Sequence, residues 1–168
     1  MSFTDVTLHI APATLADVSL ILSLIRELAD YERMSNEVMV TETDLQRSLF
    51  SATPFAEAVI ARLDGTPVGF ALFFHSFSTF VGRRGLYLED LFVRPAYRGR
   101  GIGRRLLAHL AKLAVDRGCG RFEWAVLDWN ELAIATYRKA GAVPMDAWTT
   151  YRLTGDSLQA LAAETTNR

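Results

Sequence analysis

The sequence is poor in metal-binding and sulfur side chains, and it has no long apolar run. Its single cysteine, Cys119, excludes a disulfide framework and a multi-cysteine zinc site. His9, His75 and His109 are scattered without metal-ligand spacing, so we expect no metal. No apolar stretch reaches the roughly 18 residues that a membrane-spanning helix needs. The N-terminus lacks a basic region followed by an apolar one, so we expect no export signal and a cytoplasmic location.

Charge of either sign is nearly balanced over the whole chain but not along it. The formal net charge of −1 argues against bulk electrostatic binding to nucleic acid or to an anionic membrane. Residues 1–66 nevertheless hold ten acids and four arginines, a balance of −6. Residues 83–117 hold nine basic residues and three acids, a balance of +6. This separation suggests two ligands of opposite charge or two regions that attract each other, unless both are ordinary solvated faces.

The hydrophobic periodicity predicts one domain, 1–168, of mixed helices and strands. Thr14 and Asp17 form a helix capping box, and Asp64-Gly65 marks a tight hairpin turn. Helices are predicted at 14–33, from Thr41, at 101–117, 130–140 and 156–164, and strands at 7–10, 58–63, 67–77, 85–93, 121–127, 142–145 and 149–153. This order indicates an α/β fold with a mixed sheet and helices on its faces.

The strongest local motif is a glycine- and arginine-rich loop between a predicted strand and a predicted helix, at residues 98–104. Glycines let a backbone approach a phosphate closely, helix N-terminal N–H groups point at an anion, and arginines add charged donors. A Walker loop is excluded because Arg104-Arg105 stands where Lys-[Ser/Thr] is needed. A dinucleotide-binding fingerprint fits poorly, because its glycine spacing differs and the loop after Val93 is too long.

With this loop the sequence resembles the GNAT superfamily of N-acetyltransferases, whose pyrophosphate loop R-x-x-G-x-G is matched by Arg98, Gly101 and Gly103. Further segments are similar to the diamine (spermidine/spermine) acetyltransferase branch, which also contains enzymes acting on thialysine. These are 10–14, 27–32, Pro54-Phe55, 87–93, 129–131 and Tyr137 before Gly141-Ala142. The resemblance spans nearly the whole chain.

The resemblance implies a GNAT fold, in which a mostly antiparallel twisted sheet has splayed strands that form a coenzyme A cleft. It also implies direct transfer of an acetyl group from acetyl-CoA to a primary amine of a small cationic substrate, with no covalent cysteine intermediate, in a protein that is a homodimer. The cofactor contacts would come from Leu91, Phe92, Val93, Arg98, Gly99, Arg100, Gly101, Ile102, Gly103, Arg104, Glu123, Trp124, Ala125, Asn130, Glu131, Leu132 and Ala133.

The resemblance also assigns roles in catalysis and amine binding. Tyr137 would be the general acid for the departing thiolate, since a phenol can donate a proton, and Tyr31 and Glu32 would contact the amine. Glu89 would bind the amine and act as the base through water. Strand alternation places Glu89 and Asp90 on opposite faces unless a bulge intervenes, so Asp90 is expected to be structural.

One position departs from the family pattern. Where related enzymes carry an acid two residues before the aromatic of the final strand, this chain has Thr149 before Tyr151. The loss of that anionic contact weakens the case for a long polycation such as spermine and leaves room for a shorter amine. Two alternatives remain open: an acetyltransferase for protein or peptide amines, and an acyl-CoA-binding sensor without catalysis.

Overall fold

The computed structural model describes residues 7–166. They divide into two compact units, Met1–Leu127 and Asp128–Arg168. Among the described residues, no helix combines the length and the apolar character needed to cross a membrane.

The first unit is built on a five-stranded sheet in the order β1-β2-β3-β4-β5. The strands are β1 (Leu8–Pro12), β2 (Glu57–Leu63), β3 (Thr66–Ser78), β4 (Arg83–Val93) and β5 (Phe122–Trp124). The first three neighbouring pairs are antiparallel and β4 pairs with β5 in parallel, so the predicted mixed, mostly antiparallel sheet is confirmed. The turn between β2 and β3 has Asp64 and Gly65 at φ values of 47° and 82°, as an Asp-Gly hairpin turn requires.

The described residues form five α-helices: α1 (Val18–Tyr31), α2 (Glu42–Phe50), α3 (Ile102–Asp116), α4 (Glu131–Lys139) and α5 (Gly155–Ala163). The capping box of Thr14 and Asp17 forms as predicted, but it caps a short 3₁₀ turn, Leu15–Asp17, that precedes α1. A second box, Thr41 with Asp44, starts α2. The α4 and α5 helices belong to the second unit.

Two layers of helix cover the sheet of the first unit. The α1 and α2 helices bury their apolar stripes against Ile60, Phe70 and Phe92 of the central strands. Because successive strand residues face opposite sides, Val59 and Val93 point to the other face, where α3 contacts β3 and β4. The core is therefore divided by the sheet, and the ends of α1 and β4 lie on one side of it.

Two predicted strands are absent. The structure describes residues 142–153 in full and assigns no strand to them, so the predictions at 142–145 and 149–153 are wrong. Pro144 has no N–H to donate to a ladder, and the side chains of Val143 and Tyr151 are exposed rather than packed on a core. Favourable composition alone does not make a strand, because the backbone needs a neighbouring strand to pair with.

Candidate active site

A β-bulge lies where the two adjacent acids occur in β4. Leu72 of β3 pairs with Asp90 and the next residue, Phe73, pairs with Leu88, so Glu89 is the extra residue without a partner in β3. The bulge breaks the alternation that was expected to separate Glu89 from Asp90. After it, Asp90 shares the α1 side of the sheet with Phe92.

Near this bulge, the charges of two carboxyl groups act on a third, Asp90. The pKa of Asp90 is raised to about 6, first by burial and then by the negative charges of Glu89 and Glu32. Burial also raises the pKa of Glu32, at the end of α1, whereas Glu89 is exposed. A mostly buried carboxyl that titrates near neutral pH, beside two further acids, is suited to bind a cation and to accept a proton.

The end of α1 brings Tyr31 and Glu32 to the same side of the sheet. Tyr31 is the last residue of α1, and the chain then turns through Arg33, which has a positive φ of 61°. The N–H of Met34 closes the helix end by donating to the carbonyl of Ala29, 2.8 Å away. The helix end is thus tied down by its own backbone, which fixes where the Tyr31 and Glu32 side chains leave it.

The Arg98 side chain points back toward the ends of β4 and α1 rather than along the glycine loop. Its Nε donates to the carbonyl oxygen of Val93, 2.9 Å away, at the end of β4. Its guanidinium carbon lies 4.2 Å from the ring centroid of Tyr31 and 5.5 Å from that of Phe92. Arg98, which the loop motif predicts to be a phosphate ligand, therefore lies between the end of α1 and the end of β4.

The glycine loop has a backbone that other residues would strain. Gly99 and Gly101 have φ values of 76° and 75°, and the N-cap of α3 is Gly101 itself. A Cβ at Gly103 would lie 3.8 Å from the side chains of Leu91 and Val93, in ordinary contact. The N-terminus of α3 therefore approaches the end of β4, with the exposed Arg100 and Arg104 beside it. This arrangement fits a pyrophosphate.

The strands β4 and β5 separate at the bulge. Their last pair is Leu88 with Trp124, where β5 ends, while β4 continues to Val93. Beyond that pair the β5-facing edge of Leu91–Val93 has no strand beside it among the described residues. Such an edge offers backbone N–H and C=O groups to an extended ligand arm. The predicted splay of the sheet is present, and it leaves the backbone edge of the three β4 residues expected to hold the acyl donor without a pairing strand on this side.

The residues of β5 lie on the other side of this opening. The Glu123 carboxylate is ion-paired with Arg121 at 2.7 Å, and the Trp124 ring stands 4.8 Å from that of Phe122. Ala125, just past the strand, is exposed. The Glu123 carboxylate is already paired with Arg121. The part of Glu123 that an anionic ligand could bind is therefore its backbone rather than its side chain.

The second unit holds the remaining predicted residues on α4. The Asn130 side chain caps the helix by accepting from the N–H of Ala133 at 3.3 Å, while Glu131 and Leu132 are exposed. Tyr137 is half-buried in the following turns, and its carbonyl accepts from the N–H of Ala142 at 3.1 Å. The helix end thus fixes the backbone that carries the phenol.

The described part of the chain contains no candidate metal centre. Between residues 7 and 166 there is no group of three or more His, Cys, Asp or Glu side chains arranged to hold a metal ion. The Glu32, Glu89 and Asp90 cluster is defined by mutual repulsion rather than by ligand geometry.

Comparison with known proteins identifies the family of the chain. The model of the acetyltransferase (GNAT) family matches residues 23–142. The chain is 38% identical over 159 residues to thialysine N-epsilon-acetyltransferase of Bos taurus, with 88% of this chain and 93% of that protein covered. It is 33% identical to L-ornithine N5-acetyltransferase of Arabidopsis thaliana, with 89% and 85% covered. An integron cassette protein from the mobile metagenome of V. cholerae has a similar structure, with a TM-score of 0.77, 28% identity and 92% and 97% coverage.

Proposed function

The chain belongs to the acetyltransferase (GNAT) family, and from this premise we propose that it transfers the acetyl group of acetyl-CoA to a primary amine of a small cationic substrate. The observation that carries the proposal is the cluster of Glu32, Glu89 and Asp90 at the bulge of β4, where the pKa of Asp90 is raised to about 6. A cationic amine is attracted to these carboxylates, and it must lose a proton before it can react.

The Glu89–Asp90 pair would remove that proton. A free alkylammonium group has a pKa of about 10, so a base is needed near neutral pH. The pKa of Asp90 is raised to about 6, near that range, and the exposed Glu89 can reach the amine directly or through water. This extends the role expected of Glu89 to both acids, and it gives Asp90 a part beyond a structural one.

The end of β4 and the loop before α3 would hold the acyl donor. When bound, acetyl-CoA supplies an acetyl group activated as a thioester. Backbone N–H groups at Leu91–Val93 can bind the extended arm and donate to the acetyl oxygen, where negative charge develops. The N–H groups at the start of α3, with Arg100 and Arg104, suit the pyrophosphate.

Tyr137 would donate the proton that the departing thiolate needs. Its phenol lies on α4, whose N-terminus is capped by Asn130, and the α4 residues 130–133 would line the donor. The roles of Tyr137 and of residues 130–133 are carried over from the family pattern. The transfer would be direct, with amine and donor bound together.

The relatives favour a short amine with a second charged group. Those most similar in sequence include enzymes named for thialysine and for L-ornithine, both diamino acids. Thr149 stands where an acid would favour a longer polycation. We therefore propose diamino acids and short diamines as the first acceptors to examine, with polyamines after them. The oligomeric state expected from the family, a homodimer, is part of the same proposal.

The experiment is a thiol-release assay with acetyl-CoA and a panel of thialysine, ornithine, lysine, short diamines, spermidine and lysine-containing peptides. The expected result is turnover with at least one small amine, lost in Glu89→Gln and Asp90→Asn and reduced in Tyr137→Phe, which should still bind acetyl-CoA. Glu37→Gln, an exposed carboxylate change on the short turn after α1, is the matched control and should keep wild-type turnover.

The other outcomes separate the alternatives. Peptide acetylation faster than that of every small amine would replace the small-molecule acceptor with a protein amine. Binding of acetyl-CoA without thiol release from any acceptor would favour an acyl-CoA sensor. Unchanged turnover in Tyr137→Phe would remove the acid assignment without removing the amine site.

A further inference from the structure

We infer that Arg98 is a positioning residue that couples the amine side of the site to the donor side, rather than a ligand of the pyrophosphate. The inference rests on the proposed function, because it concerns how the two substrates of that reaction are held. It starts from the direction of one side chain, which the loop motif alone does not determine.

Arg98 contacts two parts of the protein, and each part is proposed to bind a different substrate. Its Nε donates to the Val93 carbonyl at 2.9 Å, at the β4 end proposed to bind the acyl arm. Its guanidinium faces the Tyr31 ring at 4.2 Å, at the α1 end proposed to bind the amine. The Phe92 ring lies 5.5 Å from the same guanidinium carbon. This residue precedes Val93 in β4 and packs into the core under α1.

The chemistry of these contacts requires arginine. A planar guanidinium can donate in its plane from Nε while its face lies on an aromatic ring, and a lysine ammonium cannot do both with one geometry. The turn Pro95–Tyr97 folds the chain back, and the N–H of Arg98 closes it by donating to Pro95 at 3.2 Å. The side chain is thereby directed toward β4 and α1 before the glycines of the loop begin.

The consequence is that a shift of Tyr31 on amine binding is transmitted to the Val93 carbonyl through one side chain. Amine and donor would then influence each other's binding, and loss of Arg98 would misplace both ends. A direct phosphate ligand has a different signature: its loss would matter only for donors that carry the pyrophosphate, and a lysine would replace it in part.

The test compares two donors, acetyl-CoA and acetyl-pantetheine, which has the same thioester arm without the pyrophosphate and adenosine. Arg98→Gln should lower kcat/KM for the amine about five- to thirtyfold with both donors, and Arg98→Lys should not restore it. Arg104→Gln, a change at an exposed arginine of the same loop, is the matched control and should weaken only acetyl-CoA. A loss confined to acetyl-CoA in Arg98→Gln, or rescue by Arg98→Lys, would overturn the inference.

Tyr31 supplies the second arm of the test. Tyr31→Leu removes the ring and should reproduce the Arg98→Gln defect, and the double variant should be no worse than either single one, since both changes break one contact. Tyr31→Phe keeps the ring under the guanidinium, so its loss of kcat/KM should be smaller than that of Tyr31→Leu. Additive losses, or a Tyr31→Phe defect equal to that of Tyr31→Leu, would contradict the coupling. These comparisons do not depend on Arg98 variants alone folding.

Failure of the proposed function would be recognised separately. If the wild-type protein acetylates no amine, the proposed function fails, and the inference is then judged from calorimetric affinities for coenzyme A and pantetheine. Equal fold-losses for the two ligands in Arg98→Gln support the positioning role. A loss for coenzyme A alone refutes it.

Discussion

The ionised form of Asp90 lowers the stability of the folded protein, although the proposed reaction uses this form. Its carboxyl pKa is raised from 3.8 to about 6 by burial and by the charges of Glu89 and Glu32, so the folded protein binds this proton more tightly than the unfolded chain does. Stability must then fall as the pH rises from about 4 through about 6, because the folded state has to release a proton that the unfolded state has already lost. Ionised Asp90 is thus a destabilising group that the proposed reaction would use.

We expect Asp90→Asn to be more stable than the wild-type protein at pH 7.5 by about 2–3 kcal/mol, the equivalent of about two pKa units. The advantage should shrink below pH 6 and vanish only below the unfolded pKa of 3.8, where Asp90 is protonated in both states. Wild-type activity should rise with pH through an apparent pKa near 6 that belongs to the three-carboxylate cluster. Urea unfolding from pH 4 to pH 8 measures the first effect, and a pH-independent difference between the two proteins would contradict it.

Among the elements, the loop that begins α3 depends most on glycine. Gly101 is the N-cap of α3 at a φ of 75°, and Gly65, in the β2–β3 turn, has a φ of 82°; a Cβ would meet open space at either position. Alanine at each should cost about 1–2 kcal/mol of stability through backbone strain alone. Only Gly101→Ala should also weaken coenzyme A binding, by about tenfold or more, because it displaces the N–H groups at the helix start.

Gly65→Ala is the matched control for that prediction. Calorimetry with coenzyme A and thermal unfolding of both variants separate strain from loss of the binding loop. Equal affinity in the two variants would mean that the start of α3 does not hold the donor, whatever happens to stability.

The elements also show how far the sequence leads. Apolar spacing predicts α1 well, since Ile21, Leu24 and Leu28 form the buried stripe that packs on the sheet. Periodicity cannot reveal the bulge at Glu89, because one extra residue in a strand follows from the match to its neighbour and leaves no composition signal. The alternation rule therefore separates two acids, although the charge of one, Glu89, acts on the other, Asp90. The direction of Arg98 was equally out of reach, since it follows from contacts with two distant segments.

At the scale of the whole molecule, the opposite charges of residues 1–66 and 83–117 partly neutralise each other. Arg94 is ion-paired with Glu27 at 2.7 Å, and Arg117 is ion-paired with Glu57 at 2.7 Å. These pairs join residues 1–66, the acidic third of the chain, to the end of β4 and to the end of α3. One of the two sequence interpretations, mutual attraction, is thus present. The other, two ligands of opposite sign, needs the arginines that remain in the glycine loop.

If those remaining arginines bind the donor as proposed, donor binding should depend on salt. We expect the KM for acetyl-CoA to rise several-fold between about 0.05 M and about 0.5 M NaCl, because charges at an exposed site are screened over a Debye length that falls from about 14 to about 4 Å. Acetyl-pantetheine, which lacks the phosphates, should show a much smaller change. A dicationic amine should also lose apparent affinity with salt, since its attraction to Glu32, Glu89 and Asp90 has the opposite sign and the same range.

Variants of single arginines assign that salt effect to the loop. Arg104→Gln and Arg105→Gln should each reduce the steepness with which acetyl-CoA affinity falls with salt, because each removes one screened contact. Arg47→Gln, on α2 in the acidic third, changes the net charge equally and should leave that slope unchanged. If all three variants changed the slope alike, overall charge would be the cause. If only the loop variants do, the +6 segment acts locally, after its ion pairs with the acidic third are formed, as the anion site of the enzyme.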